Sequence, residues 1–87
     1  MREHTSSGLS VWVLGFSVKG RDEPVYPMMG AIVFSSRERA LAYLVERGMR
    51  VRWTPSKNPE YQDGFTRGGD VFWKWTLSRQ EVDYFDD

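Results

Sequence analysis

Few side chains in this sequence could do chemistry, and their spacing decides between the options. The single histidine, His4, sits in the polar run Met1–Gly8, where no apolar period would hold it as the base of a Ser-His-Asp arrangement. Cysteine is absent, which removes a thiol nucleophile, a zinc–thiolate site and a disulfide framework together. Carboxylates gather as Glu81, Asp83, Asp86 and Asp87. Such oxygens suit a hard cation, but the calcium-loop spacing with its central glycine is missing, and a solvated acidic tail is the simpler reading. Arg67-Gly68-Gly69-Asp70 could turn glycine amides toward an anion. The run lacks G-x-x-x-x-G-K-[ST] and leads into a strand rather than a helix, so a turn is expected there. On these grounds the chain is expected to be no enzyme and to need no cofactor or metal.

Binding chemistry has more to work with. Arg50 and Arg52 alternate on one strand face beside Trp53 and Phe72, a pattern in which guanidinium groups hold phosphates while rings stack on bases. The plainer alternative is a solvated strand face whose charges block edge pairing. Tyr61 and Phe65 stand in a polar stretch with no periodic apolar partner, as does Arg67. Aromatic and arginine side chains dominate protein interfaces because they bury much area at low entropic cost. The candidate partner-binding set is therefore Arg50, Arg52, Tyr61, Phe65 and Arg67.

The elements that must position these residues follow from the apolar pattern. Residues 1–8 read as a flexible arm. Leu9–Val18 alternates, with Trp12, Leu14, Phe16 and Val18 on one face and Gly15 marking a bulge or a close approach. Lys19–Pro27 gathers glycine, proline and charge as a long hairpin loop. Met28–Phe34 is a continuous apolar run, the pattern of a central strand covered on both faces. Ser35 and Glu38 have the capping-box spacing, and Gly48 the place of a left-handed cap, predicting a helix over Ser36–Arg47 with Ala40, Leu41, Leu44 and Val45 on its apolar stripe. Met49–Trp53 alternates as a third strand with Met49, Val51 and Trp53 inward. The 17 residues Thr54–Asp70 read as a long loop, functional or mobile. Val71–Leu77 sets Val71, Trp73, Trp75 and Leu77 against Phe72, Lys74 and Thr76 as the last strand. Ser78 and Glu81 repeat the capping-box spacing, so a short terminal helix competes with a strand over Val82–Phe85.

The expectation is one α+β domain over residues 9–87, in the order β-β-α-β-β. One helix packs on one face of a mainly antiparallel four-stranded sheet, and the other face is wet, covered by the long loop or used for binding. A chain of 87 residues has room for a single thin core. Four Trp, four Tyr and five Phe are more than such a core obviously needs, although a small domain without cysteines can spend tryptophans on packing. Lys plus Arg equals Asp plus Glu at 12 each, unlike a strongly basic nucleic-acid binder. The balance is uneven along the chain: Met1–Lys57 holds nine basic and five acidic residues, Asn58–Asp87 three and seven. No run is long and apolar enough for a membrane span and no secretory leader is evident, so no membrane partner is expected and the cytoplasm is the expected setting.

The strand V-W-V-L-G-F-S, the loop, and G-A-I-V-F-S-S-R-E-R-A-L-A-Y-L, with its motif F-S-S-x-E-x-A-x-x-Y, resemble the small uncharacterised accessory proteins of phages and prophages. The resemblance covers Val11–Val51, and the shared positions form the fold rather than a site. That type includes inhibitors of host defence, anti-CRISPR proteins among them. It implies a non-enzymatic domain that binds a host or phage protein stoichiometrically, as inhibitor or adaptor. A sheet-face binder of single-stranded nucleic acid ranks second, and a homo-oligomeric subunit, such as a homodimer, third.

Overall fold

A computed structural model describes residues 10–82 except 21, 25 and 27. Its elements are β1 (Ser10–Gly20), β2 (Met28–Phe34), α1 (Arg37–Glu46), β3 (Arg52–Trp53), β4 (Tyr61–Gly68) and β5 (Val71–Glu81). The strands form one antiparallel sheet in the order β2-β1-β5-β4-β3. The expected arm at residues 1–8 lies outside the described residues, as do Asp83, Asp86 and Asp87. Among the described residues no helix is long and apolar enough to cross a membrane.

The α+β class and the single helix packed on the sheet hold, with five strands in place of four. The added strand is β4, inside the expected loop over 54–70. Polar residues occur on both its faces, so alternation marks no buried side. Pairing with β5 supplies the order instead, from Tyr61 opposite Ser78 to Gly68 opposite Val71. Gly69 makes the hairpin between them possible by taking φ +59, a value that β-carbon sterics deny most residues.

Two further expectations are corrected. The apolar run Met28–Phe34 forms an edge strand rather than a central one, with Met28, Met29 and Val33 exposed. The central strands are β1 and β5, which pair over their whole lengths, Ser10 opposite Glu81 through Gly20 opposite Val71. That ladder also overrides the second capping-box spacing. Ser78 and Glu81 are strand residues, because eleven paired residues outcompete a helix of little more than two turns. Val82 follows the strand without joining it, and the rest of the alternative strand to Phe85 lies outside the described residues.

The helix is capped by Ser36 rather than Ser35. The Ser36 side chain accepts from the Arg39 amide at 3.1 Å, so the capping serine lies one residue later than the S-x-x-E spacing implies. Gly48 is left-handed as expected, at φ +71. Ala40 and Leu44 are buried on Leu14, Trp75 and Leu77, with Leu41 and Tyr43 half-buried beside them, whereas Val45 is 75% exposed. The buried stripe thus turns toward Tyr43, whose ring lies 5.3 Å from that of Phe34.

Leu14 and Leu77 are opposite one another at the centre and fully buried. Met49, Val51 and Trp53 pack against this core, as their alternation implies, along with Trp12 and Trp73. The Trp75 indole donates to Thr66 Oγ1 at 2.9 Å, and the Thr66 hydroxyl donates to the Arg50 carbonyl at 2.7 Å. The polar edge of a buried ring is thereby satisfied and β5, β4 and the approach to β3 are tied together.

Candidate ligand-binding face

With α1 on one side, the side chains alternating with the core residues share the opposite, open face. Cross-strand partners lie on one side of a sheet, so register defines the rows on that face. One row runs Arg52, Phe65, Lys74 and the next Arg67, Phe72, Lys19. Each row sets a phenylalanine between two cations.

The rows are in contact. The Phe65 and Phe72 rings stack at 5.8 Å and 24°, and Tyr26, from the β1–β2 connection, lies 6.4 Å from Phe72. The Arg67 guanidinium stands 5.6 Å from the Phe65 ring centre and 5.8 Å from that of Phe72. The Lys19 ammonium is 5.3 Å from the Tyr26 ring and also donates to the Glu23 carbonyl at 3.2 Å. Cations over ring faces are attracted by the ring quadrupole, which keeps rings and charges in one cluster. Arg52, Arg67 and Lys74 are exposed. The ion pairs among the described residues belong to Arg79, with Glu60 at 3.2 Å and Glu81 at 3.8 Å, leaving those three cations without a carboxylate partner there.

A shallow groove of about 320 Å³ crosses this cluster, lined by Tyr26, Thr54, Asp63, Phe65, Phe72 and Lys74. Asp63 is the one acid in its lining. Gly64 sets the groove's outer wall. A β-carbon there would meet the Arg52 carbonyl at 2.7 Å, so glycine is what lets β3 lie close enough to β4 to bring Arg52 beside Phe65.

Of the five residues singled out from sequence, Arg52, Phe65 and Arg67 come together. Tyr61 shares their face but is opposite Ser78, four residues or about 13 Å along β4 from Phe65. Arg50 is exposed and precedes β3; its carbonyl serves the Thr66 contact. Sequence reasoning left Lys19, Tyr26, Phe72 and Lys74 out of the set. The signal for two of them was present: Phe72 and Lys74 alternate off the tryptophan stripe of β5, where an aromatic has no core to fill. His4 lies outside the described residues, Glu81 is engaged by Arg79, and Gly69-Asp70 is the hairpin turn. No family model, no curated protein and no solved structure matches this chain.

Proposed function

We propose that the protein is a non-enzymatic binding domain whose open sheet face holds an extended single-stranded nucleic acid. The observation that supports this reading is the pair of rows in which Phe65 and Phe72 each stand between two cations. Bases offer flat π faces to the rings, and the phosphates between them meet Arg52, Arg67, Lys74 and Lys19. Stacking of this kind contributes about 1 to 3 kcal/mol per base and tolerates any sequence. The zero net charge, unlike that of a strongly basic nucleic-acid binder, is an average over the whole chain. A strand on the sheet experiences the local field, where four cations surround three rings and outnumber the neighbouring acids Asp63 and Asp70.

The test is a titration of a labelled single strand of about 12 nucleotides, within the span such surfaces accommodate, at about 150 mM salt. Binding at micromolar strength or tighter is expected, saturating at a fixed molar ratio and falling by at least tenfold in Phe65→Ala/Phe72→Ala. Absence of binding at millimolar strand removes the reading.

The second reading is a stoichiometric protein inhibitor or adaptor, which the phage-protein resemblance would make a counter-defence protein. What favours it is Tyr61, 41% exposed on the same face as Phe65 and Arg67, because tyrosine and arginine are the residue types that anchor protein interfaces. An acidic protein surface would then occupy the cationic rows. Two variants separate the readings: a strand held by the two rows should lose more affinity with Phe72→Ala than with Tyr61→Ala, and a protein complex centred on Tyr61 the reverse.

A further inference from the structure

The edge strand β2 carries an inference independent of the open face. Strand edges expose unpaired amides and carbonyls, and proteins normally guard them with charge, proline, a bulge or shortness. The far edge is guarded in this way, because β3 is two residues long and bears Arg52. β2 has none of these devices. Its seven residues, Met-Met-Gly-Ala-Ile-Val-Phe, include no charge and no proline, and its register with β1 is unbroken from Met28 to Phe34. Met28, Met29 and Val33 are 59%, 69% and 59% exposed, unusual for large apolar side chains on a free edge.

The strand is also complementary to itself. Turned about a two-fold axis through Ala31, it would pair antiparallel with its own copy, Met29 opposite Val33 on the open face and Met28 opposite Phe34 on the helix face. Every such pair is apolar and no like charges meet, the conditions under which cross-strand pairs stabilise a sheet. A groove of about 470 Å³ between the end of α1 and the sheet reaches the same edge, lined by Met28, Ile32, Tyr43, Met49 and Trp73 among others, and offers further apolar surface beside the seam. We propose that two copies of this chain associate through β2, joining their sheets into one continuous ten-stranded antiparallel sheet. Such an interface is isologous and closes at two subunits.

Both exposed positions beside the axis can be changed without touching the core. The molar mass of the purified chain, free of nucleic acid, is measured by light scattering or sedimentation across the micromolar range. The wild type is expected to approach twice 10.2 kDa. Met29→Lys/Val33→Lys sets lysine against lysine across the axis and is expected to be monomeric with an unchanged melting curve at low concentration. Met29→Lys/Val33→Glu sets each lysine against a glutamate of the other copy and is expected to dimerise again, most strongly at low salt. A wild type monomeric throughout, a double-lysine variant that still dimerises, or a lysine–glutamate variant that stays monomeric would each overturn the proposal.

Discussion

Phe65 and Phe72 stack at 5.8 Å although they are diagonal, not opposite, in the β4–β5 ladder: Phe65 is across from Lys74 and Phe72 across from Arg67. Each ring therefore has a cation directly opposite and an aromatic on the diagonal, an arrangement that joins two charged rows into one surface. The pair takes no part in the core beneath α1.

Removing the rings should consequently affect binding more than folding. The two rings are half-buried and their stacking contributes about 0.5 to 1.5 kcal/mol beyond the area they bury, so Phe65→Ala/Phe72→Ala should lower the melting temperature by roughly ten degrees while leaving the domain folded. A fully unfolded double variant would place these rings in the core instead.

Leu44→Ala should be costly and Val45→Ala nearly silent. Leu44 is buried against Leu14 and Trp75 whereas its neighbour is 75% exposed. Truncation in a core costs about 2 to 5 kcal/mol, most of the stability of so small a domain, and surface changes stay within about 0.5 kcal/mol. Denaturant melts of the two variants side by side check the orientation of α1.

The two serines before the helix should also separate. Ser36→Ala removes the acceptor for the Arg39 amide and should cost about 1 kcal/mol. Ser35→Ala, outside the cap, should cost much less. Equal effects in urea titrations would contradict the cap assignment.

Gly64→Ala should loosen β3. The added methyl would collide with the Arg52 backbone, a clash relieved only by moving β3 away, at about 1 to 3 kcal/mol. The Thr54 amide, which donates to the Asp63 carbonyl at 2.8 Å, should then exchange with solvent faster than in the wild type.

How far all this can be read in the sequence depends on where a local pattern meets a non-local partner. The helix is legible because Ala40, Leu41 and Leu44 share a stripe and Gly48 ends it, and β1 and β5 because Leu14, Phe16, Trp73 and Trp75 alternate. β4 is not, since Gln62, Asp63, Thr66 and Arg67 are polar on either face and its order comes from β5. The edge position of β2 is hidden for the opposite reason: an apolar run looks the same whether covered by sheet or left open. Of the candidate surface, Phe65, Arg52 and Arg67 stand out by residue type. Lys19 and Tyr26 join them only because β1 pairs with β5, a strand far away in the chain.

Backbone amide and aromatic ring resonances, followed while a short single strand is added, test the central claim most directly. Movement confined to Lys19, Tyr26, Arg52, Phe65, Arg67, Phe72 and Lys74, with Ala40 and Leu44 beneath the helix unmoved, is the predicted result. Resonances that stay still, or that move around α1 while the two rows stay still, would contradict it.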